Sequence, residues 1–279
     1  MNDYAISYDY SATLWKENLS KTNRSNNGKL LAMAGVYEQG RNTRITRLPY
    51  YQEQRNLLGA LPAAADEAKG LSENFAGDVA IGLDANEGFF KEKAADYGII
   101  HLAMHGLLDS RAQMLSSLVF TEDGDSVENN FLQAYEISKL NLNADLVVLS
   151  ACETGYGKFE QGNGIASLAR SFMYAGAPSL VVSLWQVNDF STAEIMKLFY
   201  QNLAKDMGTA EALRAAKLNY MKRAKGILRH PAFWSPFVHI GTNDPIRLER
   251  KSERSFLWWG LGLGILGLVF SLIFWKKKE

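Results

Sequence analysis

Short apolar runs alternate with helical patterns along the first 240 residues of the chain. The runs with strand character cover residues 30–36, 79–81, 98–105, 117–121, 145–151 and 180–185. Two of them, 98–105 (GIIHLAMH) and 145–151 (DLVVLSA), are apolar at successive positions, which is typical of strands that helices cover on both faces. We therefore predict an α/β fold, a mostly parallel sheet sandwiched by helices.

Helical periodicity fills the segments between these runs. The predicted helices cover residues 88–97, 164–174, 191–203 and 209–223. Asp84 and Glu87 have the spacing of a capping box before the first helix, and Gly176 and Pro178 end the second. Residues 20–29 and the acid-rich segment 121–130 are predicted to be solvated loops.

The last thirty residues have a different pattern. Residues 255–275, SFLWWGLGLGILGLVFSLIFW, contain no charged side chain. A helix of about 20 residues is about 30 Å long, which matches the hydrocarbon thickness of a bilayer. Trp258 and Trp259 near one end and Trp275 at the other fit an aromatic belt. We predict a transmembrane helix, and the alternative is a buried core helix.

Both flanks of this segment are basic, so their charges leave its orientation across the membrane open. A basic linker, residues 246–254, precedes it, and a basic tail, residues 276–279, follows it. The N-terminal residues MNDYAISYDY lack a basic segment followed by an apolar one, so no signal peptide is visible. We therefore expect a single-pass, tail-anchored membrane protein whose domain, residues 1–245, lies in the cytoplasm. The single cysteine fits a reducing compartment.

The amino-acid composition argues against several classes of function. The chain has 30 basic and 30 acidic residues, and this balance gives no support to nucleic acid as a partner. One cysteine excludes an internal disulfide and a CxxC zinc motif. The glycine-rich segment 155–164 fits neither of the nucleotide-binding patterns GxxxxGK[ST] and GxGxxG. His101 and His105 do not form the metalloprotease motif HExxH. We expect no cofactor and no metal.

Two predicted strands end in residues that can do chemistry. One ends in His105-Gly106, and the other runs into Cys152. Carboxyl ends of parallel strands meet at one edge of a sheet, so we expect the imidazole and the thiol there together. An imidazole that takes the thiol proton makes a nucleophile, and the backbone N–H groups of Gly106 and Cys152 could form an oxyanion hole. The alternative is a packed thiol beside a structural histidine.

The residues around this pair resemble the CHAT family of caspase-like cysteine peptidases. The segments that carry the resemblance, in chain order, are HLAMHG at 101–106, LSACETG at 149–155, GIASLARSFMYAGAP at 164–178, SLWQVND at 183–189, and HPAFW at 230–234 followed by FVHIG at 237–241. The segment DANE at 84–87, with the helix after it, agrees as well. The resemblance runs in order from about Tyr8 to Gly241.

The resemblance implies a caspase-type fold and cleavage of a specific protein through a thioester. It makes Cys152 the nucleophile, His105 the general acid/base, and the Gly106 and Cys152 amides the oxyanion hole. Family members usually carry TPR repeats before the peptidase, and some act in bacterial signalling or defence. This chain has no TPR array and no strand-rich stretch before Tyr8. It could therefore be a fragment, a naturally short form or one part of a split system, with a sheet edge open for a TPR-type or regulatory partner.

Two acidic residues are candidates for substrate binding. The segment around Asp189 is similar to one in separases, in which this acid faces an arginine of the substrate; the alternative is that Asp189 caps the helix after it. Glu160 could contact substrate or only solvent. We expect His101 to be packed, and we expect His230 and His239 to belong to a closing helix and strand. Two other functions stay open, a catalytically silent interaction or scaffold module and a hydrolase of small molecules on a flavodoxin-like sheet.

Overall fold

The computed structural model describes residues 3–20, 27–37, 49–56, 58–109, 111–123, 127–150, 163–185 and 188–251. The chain divides into two compact units, residues 1–249 and 250–279, and the elements below belong to the first. Within the described ranges, no helix is both long enough and apolar enough to cross a membrane. The predicted span, residues 255–275, lies outside these ranges.

Strands and helices alternate along most of the first unit. The strands are β1 (Ser7–Tyr8), β2 (Leu30–Ala34), β3 (Gly77–Ile81), β4 (Ile99–Ala103), β5 (Gly106–Leu107), β6 (Ser117–Val119), β7 (Phe131–Gln133), β8 (Leu146–Leu149), β9 (Ser179–Ser183) and β10 (Phe237–Gly241). The α-helices are α1 (Ala12–Ser20), α2 (Pro49–Asn56), α3 (Ala64–Asn74), α4 (Glu87–Lys93), α5 (Ala134–Ile137), α6 (Asn163–Tyr174), α7 (Asp189–Leu203) and α8 (Thr209–Arg223).

Seven strands form the main sheet in the order β1-β10-β9-β8-β4-β2-β3. Neighbouring strands are parallel throughout, except that β10 is antiparallel to β9. The register places Leu102 of β4 opposite Leu149 of β8, so these two strands end side by side. This confirms the predicted mixed α/β fold with a mostly parallel sheet.

Helices cover both faces of the sheet, which explains why its central strands β2, β4, β8 and β9 are buried at every position. Alternate residues of β4 enter different cores: Ile100 and Leu102 pack with α6, whereas Ile99 and Ala103 pack with α3 and α7. All five residues of β4 are buried. The sheet is therefore the middle layer of three.

A second, antiparallel sheet of three strands, β5-β6-β7, stands beside the main one. The predicted strand at 117–121 belongs to this small sheet and covers only Ser117–Val119. Leu118, Val119 and Phe131 enter the same core as α6. The sequence pattern located the strand but not its sheet, because periodicity carries no information about pairing partners.

The first strand covers an edge of the main sheet. Ser7 and Tyr8 pair in parallel with His239 and Ile240 of β10. β10 therefore lies between β1 and β9, and the outer strands of the main sheet are β1 and β3. The Ser7 hydroxyl donates to the carbonyl of Gly241 at 2.9 Å and lies 2.8 Å from Nδ1 of His239.

Two local predictions need correction. The N-cap of α4 is Asn86, whose side chain accepts from Phe89 N at 2.7 Å, so Asp84 and Glu87 do not form a capping box. The acid-rich segment 121–130 is also less solvated than expected. Glu128 forms an ion pair with Lys91 at 2.7 Å, and Thr121 and Asn130 are buried. Helix α8 has the predicted bounds, and α7 begins two residues before its predicted start.

Candidate active site

His105 follows the end of β4, and its backbone is held from two sides. Its N–H donates to the hydroxyl oxygen of Tyr37 at 3.1 Å, and its carbonyl accepts from Val119 N at 2.8 Å. The Tyr37 hydroxyl in turn donates to the carbonyl of Val119 at 2.5 Å. One phenol therefore connects the end of β4 to β6 of the small sheet.

The position of Tyr37 depends on a glycine. A Cβ atom on Gly35 would lie 2.2 Å from the Tyr37 hydroxyl oxygen, closer than any side chain allows. Gly35 directly follows β2, and its lack of a Cβ leaves room for the phenol group beside His105. The two ring centroids are 4.4 Å apart, with the planes at 53°.

The imidazole of His105 is buried and has a defined orientation. Its Nε2 lies 2.7 Å from the backbone carbonyl of Gly59. Because a carbonyl only accepts hydrogen bonds, Nε2 must carry the hydrogen in the neutral ring. Nδ1 is then the basic nitrogen, the one able to take a proton from a nucleophile. Gly59 was not singled out from the sequence, since a backbone acceptor leaves no signal in side-chain pattern.

The neighbouring strand β8 delivers the chain toward the predicted nucleophile. Its ladder with β4 continues one residue past its end, where Ser150 N donates to the carbonyl of Leu102 at 3.1 Å. Cys152 comes two residues later and lies outside the described residues, as does Glu160. Gly106 is buried at the start of β5, paired with Leu118. The predicted oxyanion roles of Gly106 and Cys152 stay predictions.

Asp189 is the first residue of α7, and the residue before it, Asn188, is the N-cap of this helix. The side chain of Asn188 accepts from Ser191 N at 3.3 Å, so the capping role considered for Asp189 belongs to Asn188. A carboxylate in the first helical turn is favoured by the helix dipole. The proposed contact between Asp189 and a substrate stays a prediction.

The other three histidines lie in other parts of the fold. His101 is packed, as expected: its Nε2 lies 2.7 Å from Glu67 Oε1, and its Nδ1 lies 3.1 Å from the Tyr200 hydroxyl. His239 belongs to β10 and contacts Ser179 through Nε2 at 2.9 Å. Burial lowers the pKa of His239 to about 4, so it is neutral near pH 7. His230 lies between two short 3₁₀ turns.

Three carboxylates and one ammonium form a cluster beside α4. The ligand oxygens of Glu87, Glu128 and Glu136 lie within 4.8 Å of one another, which is compatible with a metal ion. Lys91 Nζ already contacts the three at 2.7, 2.7 and 3.2 Å. Burial raises the pKa of Glu87 to about 7, against the opposing effect of Lys91. The lysine thus supplies the cation of this cluster.

Comparison with known proteins identifies the family. The CHAT domain matches residues 1–242, so the chain belongs to the CHAT domain family. Tetratricopeptide repeat protein 28 from Mus musculus and from Homo sapiens is 25% identical over 238 and 243 residues. Each alignment covers 74% of this chain but only 10% and 9% of the relative. The chain therefore spans about a tenth of the length of these curated relatives.

Solved structures show more distant likeness. Separase, in its Saccharomyces cerevisiae complex with securin, is 13% identical with a TM-score of 0.49, over 86% of this chain and 14% of that one. The Arg-specific cysteine proteinase gingipain R is 10% identical with a TM-score of 0.46, over 81% of this chain and 49% of that one.

Proposed function

We propose that the chain is a membrane-anchored, caspase-like cysteine endopeptidase that cleaves a specific protein. The observation that carries the proposal is the geometry of His105. This histidine lies at the end of β4, and its Nε2 donates a hydrogen bond to the Gly59 carbonyl. Nδ1 is therefore the basic nitrogen of the neutral ring. The adjacent parallel strand β8 ends two residues before Ala151-Cys152, a short reach from the same sheet edge.

The chemistry follows from these two groups. Nδ1 of His105 takes the proton of the Cys152 thiol, and the thiolate attacks the carbonyl carbon of the scissile peptide bond. The N–H groups of Gly106 and Cys152 stabilise the oxyanion of the tetrahedral intermediate. The imidazolium then protonates the leaving amine, and a thioester remains. Water, deprotonated by His105, attacks this thioester and releases the acid and the thiol.

Substrate recognition and location are further parts of the proposal. Asp189, at the start of α7, would pair with a basic side chain of the substrate, and Glu160 would contribute a second contact. Residues 255–275 would anchor the chain, with the peptidase domain in the cytoplasm. The relatives named for tetratricopeptide repeats support a TPR-type protein as a regulatory partner. Bacterial signalling or defence, in which some family members act, stays a prediction.

The decisive experiment compares wild type with Cys152→Ala. Carbonate-washed membranes from cells that express each chain are labelled with a thiol-directed, peptide-based probe, and new protein N-termini are mapped across the proteome. We expect labelling and a small set of cleavages for the wild type alone, because the chain has one cysteine. A set of cleavage sites without Lys or Arg before the cut would reject the role of Asp189.

Matched histidine variants complete the test. His105→Gln keeps the thiol but should lower cleavage by at least about 100-fold, which is the usual contribution of general acid–base catalysis. His230→Gln changes an exposed histidine in the same way and should leave cleavage unchanged. Cleavage that survives in Cys152→Ala, or its absence from a folded wild type, would contradict the proposal and favour the scaffold alternative.

A further inference from the structure

Positive charge is concentrated in one part of an otherwise neutral chain. Between Glu211 and Asp244 there are six Lys and Arg residues and no Asp or Glu. Most of these cations belong to the basic loop, defined here as residues 222–230, KRAKGILRH, which runs from the end of α8 into two 3₁₀ turns. Every residue of the basic loop except Ala224 is exposed. The proposed peptidase chemistry uses none of them.

The tip of the basic loop is apolar. Ile227 is 72% exposed and Leu228 is 40% exposed. Phe190, also 72% exposed, lies at the same end of the α7–α8 pair, since the hydroxyl of Ser191 is 2.8 Å from that of Tyr220 in the last turns of α8. Single exposed apolar residues are ordinary, but adjacent ones at a loop tip surrounded by cations are not.

The loop has a defined shape. Gly226 has a φ of +56°, which allows the turn that presents Ile227 and Leu228. The N–H of His230 donates to the carbonyl of Ile227 at 2.9 Å, and the indole of Trp234 donates to the carbonyl of Arg229 at 3.1 Å. The apolar tip is therefore held outward by the fold before any partner binds.

The charges around the tip are available to a partner. Arg223 contacts Glu194 at 3.4 Å. Lys222, Lys225 and Arg229 form no ion pair with an acid among the described residues. Three cations around two protruding aliphatic side chains match a surface that is anionic outside and apolar a few ångströms below. An anionic phospholipid bilayer has this layered chemistry over its whole surface.

We infer that the basic loop is a contact site for an anionic membrane surface, with Lys222, Lys225 and Arg229 on the headgroups and Ile227 and Leu228 inserted between them. The residues of this contact site are different from those of the proposed anchor, 255–275. The indole of Trp185 donates to the carbonyl of Ala232 at 3.2 Å, so the loop stands near the carboxyl end of β9. The contact would turn that edge of the sheet, where His105 also lies, toward the bilayer.

A dye on the loop tests the inference within the full chain. The Cys152→Ala, Ile227→Cys chain is labelled at position 227 with an environment-sensitive fluorophore and mixed with vesicles of phosphatidylcholine alone or with 30% phosphatidylserine. We expect a blue shift only with phosphatidylserine, and we expect 1 M salt to remove it as the screening length falls to about 3 Å. Because the dye reports the loop alone, insertion of residues 255–275 does not produce the signal.

Charge reversal supplies the control. Lys222→Glu, Lys225→Glu and Arg229→Glu together should weaken the dye's partitioning by about 100-fold or more, since each cation near an anionic surface contributes roughly a five-fold factor. The same reversal at three exposed lysines elsewhere, Lys69, Lys197 and Lys205, should change it little.

Three outcomes would overturn the inference. They are an equal blue shift on neutral vesicles, an equal loss with the control reversal, and a shift with an acidic polypeptide such as polyglutamate but none with anionic vesicles. The last outcome would assign the loop to an acidic protein. Peptidase activity has no part in this readout, so failure of the inference and failure of the proposed function are distinguishable.

Discussion

The Tyr37 hydroxyl is the smallest feature on which the candidate site depends. It accepts from the backbone of His105 and donates to the backbone of Val119, and it is buried with both partners. Without it, the N–H of His105 would lose its acceptor in a place that water does not reach. A buried group left in that condition costs about 1–3 kcal/mol.

Tyr37→Phe tests this positioning role. We expect a loss of unfolding free energy of about 1–3 kcal/mol in urea titrations. If the proposed peptidase is active, the pH profile of its kcat should also shift, because the imidazole loses a fixed position. Tyr220→Phe, which removes a hydroxyl contact with Ser191 in the α7–α8 pair, should lower stability without moving the profile. Identical profiles for wild type and Tyr37→Phe would assign Tyr37 to stability alone.

Some strands of the main sheet could be predicted from the sequence, and others could not. β4 and β8 were predictable because both faces of each are covered, which leaves apolar residues on both faces of each strand. β1 was not, since it has two exposed residues, and its contacts are with β10 far along the chain. The position of His105 followed from β4, but its partners did not. Gly59 acts through its carbonyl, and Tyr37 lies 68 positions before His105 in the chain.

Ion pairs connect α4 to α5 and to the segment before β7. They join Lys91 to Glu87, Glu128 and Glu136. Burial raises the pKa of Glu87 to about 7, whereas its unfolded value is near 4.5. The folded protein therefore binds this proton more tightly. The contribution of Glu87 is most favourable below pH 4.5 and is lost as the pH rises through 7.

Glu87→Gln should remove this pH dependence. Relative to the variant, the wild type should lose on the order of 1–3 kcal/mol of unfolding free energy between pH 4.5 and 8. Denaturant titrations at several pH values measure the difference. Glu92→Gln, on the exposed side of the same helix, should follow the wild type. A constant difference between wild type and Glu87→Gln across this range would show that Glu87 does not titrate there.

For the whole molecule, the contact of β1 with β10 joins the two ends of the CHAT domain. His239 is at its centre. The Ser7 hydroxyl donates to the carbonyl of Gly241, so it accepts from Nδ1 of His239, and Nε2 accepts from Ser179. This arrangement needs a neutral imidazole, and burial lowers its pKa to about 4, although Thr242 and Glu211 act in the opposite direction.

Acid should therefore weaken the domain through His239. The depressed pKa means that its contribution to stability is present above pH 6.5 and is lost as the pH falls toward 4. We expect a loss of up to about 3 kcal/mol over this window in the wild type, measured by urea unfolding. His239→Gln should be less stable at pH 7 but should depend less on pH. His230→Gln should retain the wild-type dependence, and a wild-type dependence in His239→Gln would refute the assignment.

The same contact has a consequence for biosynthesis. Ser7 and His239 are 232 positions apart, so the first strand has no neighbour until almost the whole domain has been made. At about 5–20 residues per second, this delay is on the order of 10 to 50 seconds. During that time Tyr4, Ile6 and Tyr8, which stay exposed even in the finished fold, are presented on a segment whose strand is still unpaired. Within the CHAT domain, β1 therefore waits for its partner strand for the whole time that residues 9–236 are being made, and a chaperone has this time to bind it.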